Sequence, residues 1–383
     1  MGKEMEPRRV AIVVELFNKF GSDIFAGIGQ YVYEHPHWQT RHHDFVMETS
    51  PPKWLKTWNG DGIIVRDRTG KACNAALLTQ AKVVDLSILR HPQVPTVLTD
   101  QFQAVELAVK HLRERFFQNL AFVTIAGVPF CDARKDAFQQ IAGKHCPIFT
   151  FPVNPLSKSF SANSDTESLG NWLESLPKAT GIVACYDPVG LKVLETCAQR
   201  KIPVPASLAV VGINNDEVYC QLANPPMSSV AQNGYLTGYL ACALLESLMN
   251  GNPPPSPPSV RSHGVAVRRS TDTWAIEDPL LLQAVRFIHR NISSGIDVSD
   301  VAKHVGCCRR TLERRFQKTL HSSVLEEIQK TRLQTVCQLL CETELTVETI
   351  ALKAGFQNST HLHHLFRDRM NVTPNQYRRK FRL

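Results

Sequence analysis

Short apolar runs alternate with amphipathic segments along the first 270 residues of the chain. The apolar runs are rich in β-branched residues, as buried strands are, and lie at 10–16, 62–65, 96–99, 120–125, 181–186 and 208–213. Between them, apolar residues recur with helical spacing at 23–34, 102–115, 132–143, 166–176 and 188–200. Repeated alternation of strand and helix is typical of parallel sheets with right-handed crossovers. Because the series is so long, it predicts two α/β lobes rather than one sheet.

The pattern changes near residue 273. A proline-rich run at 251–259 has the composition of a linker, but strand character returns at 264–267, so we interpret the prolines as a loop before a last strand. Beyond residue 279 the apolar spacing is helical throughout. The sequence therefore predicts a two-lobed α/β domain at 8–272, a linker at 273–279 and an all-α domain at 280–383.

The helical part contains a weak internal repeat. The segments 297–306 and 345–355 each place an alanine four residues before a glycine, Ala302 with Gly306 and Ala351 with Gly355. Alanine allows a second helix to approach closely, and glycine adopts the left-handed conformation that ends a helix. The repeat predicts two helix-turn-helix units, near 298–319 and 347–370.

Composition limits the kind of protein. At 383 residues the chain is longer than one hydrophobic core usually serves, and 43% hydrophobic with 20% charged residues is ordinary for a globular protein. There is no apolar run of about 20 residues, and the first residues lack the apolar centre of a signal peptide. The 11 cysteines are scattered and odd in number, which favours free thiols in a reducing compartment. We therefore expect a cytoplasmic protein that does not contact a membrane.

The positive charge of the chain is concentrated at one end. Residues 280–383 contain 17 Lys and Arg against 9 Asp and Glu, whereas the rest of the chain contains 26 of each sign. The entire formal net charge of +8 therefore lies in the predicted all-α domain. Such a concentration predicts a nucleic-acid-binding surface on that domain alone.

A helical wheel through the stretch GCCRRTLERRF (306–316) separates two faces. We expect Leu312, Phe316 and Cys308 to face the core. The opposite face carries a row suited to base edges, formed by Arg310, Arg314 and Gln317. Two further arginines flank the inner stripe and suit phosphates, Arg309 and Arg315. A solvated basic face is the alternative, but the preceding tight turn and the repeat favour insertion into a DNA groove.

The second unit gives a matching row. With Leu362 facing inward, the outward positions are Thr360, His364 and Arg367, and two polar residues at the start of the same helix, Asn358 and Ser359, are further candidates for DNA contact. A zinc site is disfavoured in both units. Cys307 and Cys308 are adjacent and point in different directions, and in the stretch HLHH (361–364) only the first and last histidines could share a face. We therefore expect no metal and no cofactor.

These motifs resemble known families. GCCRRTLERRF and AGFQNSTHLHHLFRDRMNVTPNQYRR are similar to the AraC-type DNA-binding domain, with Asn371 where that family usually has glycine. The first 270 residues resemble the periplasmic-binding-protein-like effector domain of LacI-type repressors, in stretches such as DARKDAF, SLPKATGIVAC and VVGINNDE. This order of domains is that of the xylose operon regulators of the XylR type. The resemblance implies a two-lobed periplasmic-binding-protein-like α/β domain followed by an all-α double helix-turn-helix domain.

The resemblance also implies a function. It suggests a sugar-responsive, sequence-specific DNA-binding transcription regulator, specifically a xylose-sensing activator of sugar catabolism genes. Its expected partners are a double-stranded DNA operator, D-xylose or a related sugar, RNA polymerase and a second copy of the chain in a homodimer. Three alternatives stay open: the same architecture with another sugar, a DNA- or sugar-modifying enzyme with an AraC-type domain, and a transport binding protein.

A ligand cleft is expected beyond the carboxyl ends of the parallel strands. Those ends supply the polar side chains Asn18, Asp67, Asp100, Asp187 and Asn214. The LacI-type resemblance implies that Arg134 and Asp187 contact sugar hydroxyls. For Asn18 and Asp100, helix capping is an equally good interpretation.

Asn214 departs from the LacI-type pattern, because relatives usually have an aspartate there. An aspartate accepts hydrogen bonds from two hydroxyls, whereas an amide has one acceptor and one donor group. The site therefore either binds a pentose more weakly or prefers a ligand that presents an acceptor. A local shift could instead bring Asp216 to this position.

Overall fold

A computed structural model of the chain describes residues 6–16, 18–45, 50–67, 70–89, 91–152, 166–252 and 258–381. It divides into two units, Met1–Thr273 and Trp274–Leu383. The predicted linker, 273–279, begins at this division, and its limits stay a prediction. Part of the proline-rich run, 253–257, lies outside the described residues.

The first lobe is built on a parallel four-stranded sheet of order β2-β1-β3-β4. Its strands are β1 (Arg8–Glu15), β2 (Trp38–Phe45), β3 (Gly62–Arg66) and β4 (Lys82–Asp85). Its helices are α1 (Lys19–Glu34), α2 (Lys71–Ala76) and α8 (Gly234–Met249), which returns from the second lobe. Alternate residues of β1 face opposite sides, so Val10 and Ile12 pack with Leu245 of α8 while Ala11 and Val13 pack on the other side.

The second lobe has a six-stranded sheet of order β12-β10-β9-β8-β6-β7, in which only the β10–β12 pair is antiparallel. Its strands are β6 (Asn119–Ile125), β7 (Ile148–Phe151), β8 (Thr180–Ala184), β9 (Leu208–Ile213), β10 (Ser228–Ala231) and β12 (Gly264–Ala266). Its helices are α3 (Gln101–Arg113), α4 (Pro129–Ala142), α5 (Thr166–Ser175), α6 (Asp187–Gln199) and α7 (Glu217–Leu222).

The chain passes between the lobes several times. A two-stranded parallel pair, β5 (Leu98–Thr99) with β11 (Ser259–Val260), joins two of these passages. A third connects β10 to α8 through Gln232 and Asn233, both buried. The carboxyl ends of strands from both sheets therefore face one space between the lobes, which is where ligands of such sheets bind.

The α/β fold class predicted for the first 270 residues is confirmed. The six apolar runs correspond to β1, β3, β5, β6, β8 and β9, and the strand expected at 264–267 is β12. The sequence pattern missed β2, β4, β7, β10 and the short β11. The β2 strand, WQTRHHDF, lies at the edge of its sheet and is mostly polar, so it carries no apolar run.

The C-terminal unit is helical throughout its described length, as the sequence indicates. Its helices are α9 (Pro279–Asn291), α10 (Val298–His304), α11 (Arg309–Leu320), α12 (Val324–Glu342), α13 (Val347–Lys353), α14 (Ser359–Met370) and α15 (Pro374–Phe381). The pairs α10–α11 and α13–α14 are the two predicted helix-turn-helix units, and α12 connects them. In each turn the glycine is left-handed, Gly306 at φ 67° and Gly355 at φ 77°.

The repeat extends further than the sequence suggested. The helices α11 and α14 both end on a left-handed residue, His321 at φ 52° and Asn371 at φ 56°. Asparagine adopts this conformation readily, so Asn371 replaces the family's glycine at little cost. Two residues later, Ser323 and Thr373 each accept a hydrogen bond from a backbone N–H in the first turn of the next helix, Ser323 from Glu326 and Thr373 from Gln376.

One wheel assignment was wrong. Cys308 is exposed, whereas Leu312 and Phe316 are fully buried as expected. The helix α11 begins at Arg309, and Cys308 precedes it with an extended backbone as its N-cap. A residue outside the helix does not follow the helical period, so the wheel does not apply to it. All eleven cysteines are free thiols.

Candidate functional site

A cavity of about 720 Å³ lies between the two lobes of the N-terminal unit. A volume of this size is typical of a small-molecule site. Four of the five predicted ligand residues line it, namely Asn18, Asp100, Arg134 and Asn214. Asp67, which the sequence also placed at a strand end, lines it too.

Arg134 is the central cation of this cavity. Its side chain is 2% exposed, and its guanidinium donates to the Gln101 side-chain oxygen at 2.7 Å, the Asn214 side-chain oxygen at 3.1 Å and the Cys185 carbonyl. Its guanidinium carbon lies 5.2 Å from the ring centre of Phe130, close enough for a cation–π contact. Burial lowers the pKa of Arg134, although a guanidinium stays protonated in proteins. The helix α4 thus holds a fixed charge in the cavity wall.

Asn18 and Asp100 both cap helices at the cavity. The Asn18 side chain accepts from the Gly21 backbone N–H at the start of α1, and Asp100 accepts from the Gln103 N–H at the start of α3. Because each side chain also lines the cavity, capping and ligand contact are compatible.

Asp187 requires a correction, because the structure places it outside the cavity lining. Its side chain is fully buried, and its carboxylate accepts from the Ser229 hydroxyl and from the Asp216 backbone N–H at 2.7 Å. Burial raises the pKa of Asp187 to about 6. Asp187 lies at the first position of α6, and its side chain points under the 214–216 loop and supports that loop.

The structure favours Asn214 over the alternative that Asp216 takes its position in the cavity. The Asp216 carboxylate caps α7 by accepting from the Val218 N–H, and it accepts from the Lys19 N–H of the first lobe at 3.2 Å. It does not line the cavity, whereas Asn214 does. The backbone of Asn214 has a φ of 123°, which turns the loop so that Asn214 faces the space between the lobes.

Several residues that line the cavity were not predicted from the sequence. Glu15 ends β1, Gln101 begins α3, and Gln232 lies in the passage between the lobes. The polar end of the run VAIVVEL would have indicated Glu15. Gln101 and Gln232 carry no comparable signal, since a polar residue at a helix start or in a loop is ordinary. Only the crossing of the chain brings their side chains together, 3.5 Å apart.

The predicted DNA-contacting row of the first unit is exposed. Arg310, Arg314 and Gln317 all lie on the solvent side of α11, and Arg309 at its start is exposed as well. Arg315 is half-buried and forms an ion pair with Asp278 at 2.8 Å, the residue that also caps α9. Its guanidinium is therefore less available to a phosphate than that of Arg309.

The second unit presents the equivalent face. Thr360, His364 and Arg367 are exposed along α14, opposite the buried Leu362 and Phe366. Asn358 is the N-cap, with its oxygen accepting from the His361 N–H at 2.9 Å, and Ser359 is half-buried beside it.

Over the residues that it describes, the structure has neither a metal-binding cluster nor a membrane-spanning helix. Within 6–381, apart from the gaps given above, no group of three or more histidine, cysteine and acidic side chains has an arrangement that could hold a metal ion. Over the same part of the chain, no helix has the length and apolarity needed to span a membrane.

Comparison with known proteins matches both units. Residues 109–271 match a periplasmic binding protein-like domain, and residues 301–380 match a helix-turn-helix domain. The xylose operon regulatory protein of Haemophilus influenzae is 30% identical over 75% of this chain and 76% of its own length. The chain belongs to the family of xylose operon regulatory proteins.

Two further members of this family cover almost the whole chain. The xylose operon regulatory protein of Escherichia coli K12 is 28% identical over 97% of this chain and 96% of its own length. The structure of a xylose-binding transcription activator, xylR, is 26% identical, with a TM-score of 0.62 over 99% of this chain and all of that one. The chain is therefore a DNA-binding transcription regulator and not an enzyme.

Proposed function

We propose that this regulator binds a neutral sugar, D-xylose or a close relative, in the cavity between its lobes and activates sugar catabolism genes in response. The observation that carries the proposal is the cavity itself. It lies beyond the strand ends of both sheets and combines a fixed guanidinium, Arg134, with the polar side chains of Asp67, Asp100 and Asn214. Several polar groups in a cavity of this size suit a polyhydroxy ligand. The names of the related regulators favour xylose.

The sugar would act by stabilising the closed arrangement of the lobes. A ligand shifts this equilibrium only through contacts that it makes better in one state, and contacts with both lobes meet that condition. In our proposal, closure changes the 273–279 segment and with it the presentation of the DNA-binding unit. Within a homodimer, each unit would place α11 and α14 in successive major grooves, about 34 Å apart. RNA polymerase would be the further partner, and the free thiols suit the cytoplasm.

The experiment that tests the effector is isothermal titration of the full-length protein with a panel of pentoses and hexoses. D-xylose should bind and should change the affinity for operator DNA. A different sugar as the tightest ligand would keep the architecture of the proposal but reject xylose. Turnover of the sugar would contradict a regulatory role.

Truncating the outward arginines of α11 should separate specific from general DNA contacts. We expect Arg310→Ala and Arg314→Ala each to weaken operator binding by roughly 1 to 3 kcal/mol, because bidentate contacts to a base edge are lost. Binding to random DNA should fall far less. The matched control is Arg309→Ala, which should weaken binding to both DNAs equally. It should also reduce the slope of the logarithm of the binding constant against the logarithm of the salt concentration by about one. If Arg310→Ala lost the same binding free energy on both DNAs, Arg310 would contact a phosphate and not a base edge.

A further inference from the structure

The orientation of the Asn214 side-chain amide is fixed by Arg134. A guanidinium has only donors, so the amide must turn its oxygen towards Arg134, and the two groups lie 3.1 Å apart. The NH2 group then points away from Arg134. Asn214 lines the cavity, and no side chain or backbone group of the described residues accepts a hydrogen bond from this nitrogen. The amide therefore presents a donor to the cavity.

The groups around Asn214 strengthen this polarity. Arg134 is held by neutral acceptors, the Gln101 side-chain oxygen and the Cys185 carbonyl, as well as by Asn214 itself. The carboxylate of Asp187 accepts from the Ser229 hydroxyl and the Asp216 N–H, and within the described residues it interacts with the guanidinium through its charge and not through a hydrogen bond. The side chains of Arg134 and Asn214 therefore give this wall of the cavity hydrogen-bond donors next to a positive charge.

Elsewhere the cavity lining includes a second guanidinium, that of Arg66, and three acidic residues, Glu15, Asp67 and Asp100. Ionised carboxylates only accept hydrogen bonds. A sugar hydroxyl can donate or accept, so one sugar can satisfy both regions. It would donate at the carboxylates and accept at Asn214.

We infer that Asn214 is a specificity-determining residue, which donates its amide N–H to a sugar hydroxyl and so requires that hydroxyl to act as an acceptor. The ligand class is a neutral polyhydroxy compound. A protonated amine at the same ligand position has no lone pair to accept with, and it is repelled by Arg134. This inference rests on the proposed function, because it assumes that the cavity binds a sugar.

The test uses analogues of the sugar that binds best in the titration panel. Each hydroxyl is replaced in turn by fluorine, which can accept weakly but cannot donate, and by hydrogen, which does neither. Full-length wild type is compared with Asn214→Asp, where a carboxylate oxygen replaces the donor. Aspartate tolerates the positive φ of this position nearly as well as asparagine. Asn233→Asp is the matched control, since it adds the same charge next to Gln232 but outside the cavity lining, and keeps the cap of α8.

At one hydroxyl position, wild type should bind the fluoro analogue at least about threefold more tightly than the deoxy analogue, a factor at the weak end of net hydrogen-bond energies. In Asn214→Asp the order should invert at that position, because fluorine then faces a carboxylate. The control should keep the wild-type order. Tighter binding of the deoxy analogue by wild type at every position, or an unchanged order in Asn214→Asp, would overturn the inference. Failure of every sugar in the panel to bind would instead reject the proposed function along with it.

Discussion

Alanine at Gly355 is expected to unfold the C-terminal unit, whereas alanine at Gly306, the equivalent glycine of the first helix-turn-helix unit, should be tolerated. Both glycines are left-handed, which costs an alanine roughly 1–2 kcal/mol. The difference lies in the surroundings. A Cβ at Gly306 meets no atom within 4 Å, but a Cβ at Gly355 would lie 1.9 Å from the Ile292 carbonyl oxygen.

The clash at Gly355 cannot be relieved by a side-chain rotation. Ile292 is buried and begins a 3₁₀ turn, so the backbone itself would have to move. Overpacking of this kind typically adds about 1–3 kcal/mol, which brings the total for Gly355→Ala to roughly 2–5 kcal/mol. That is a large part of the stability of a small domain.

Hydrogen exchange measured by mass spectrometry on full-length protein would test this. In Gly355→Ala we expect rapid exchange throughout α11 and α14 together with loss of operator binding. In Gly306→Ala, protection of the same helices should persist. Equal protection in the two variants would show that the contact with Ile292 does not control the fold of this unit.

Replacing Arg134 with methionine should abolish sugar binding and also destabilise the N-terminal unit. Methionine keeps much of the length but removes every donor. The oxygens of Gln101, Cys185 and Asn214 would lose their partner in a mostly buried site. The Cys185 carbonyl belongs to a fully buried residue, whereas the Gln101 and Asn214 oxygens face the cavity and can be hydrated, so we expect a loss of about 1–3 kcal/mol in the free energy of unfolding.

The control for Arg134→Met is the next residue of the same helix. Lys135 is half-exposed, and its one ion pair with a described residue is a surface contact with Asp132, at 3.6 Å. Lys135→Met should therefore change the free energy of unfolding by less than about 1 kcal/mol and leave sugar binding intact. Urea unfolding and sugar titration of the two variants give both readouts. If Arg134→Met is as stable as the control and still binds sugar, Arg134 does not contribute to the sugar site.

The amino-acid pattern was sufficient where the cause of a structure is local. Branched apolar runs indicated the buried central strands, and the charge imbalance indicated which unit binds DNA. The buried Leu312 and Phe316, with the exposed arginines opposite them, follow from the helical period alone. The pattern did not predict polar edge strands such as β2, because they lack an apolar run.

The ligand site depended on contacts between distant parts of the chain. Asn18, Asp100, Arg134 and Asn214 were predicted from strand ends and family resemblance, and all four line the cavity. The same criterion selected Asp187, whose side chain turned instead towards the 214–216 loop. A residue at a strand end lies at a known edge of the sheet, but the direction of its side chain is not determined by that position.

By itself the sequence determined the two fold classes, the duplicated helix-turn-helix and the outward rows of α11 and α14, because periodicity and charge act over neighbouring residues. Only the tertiary structure decided how equivalent or similar residues differ. It separated Gly355, against the Ile292 carbonyl, from Gly306 in open space, and it paired Arg315 with Asp278 while leaving Arg309 exposed. It also turned the oxygen of Asn214 towards Arg134, 80 residues away in the chain. Each of these outcomes depends on which atoms the fold brings within a few ångströms, and no local pattern of residue types contains that information.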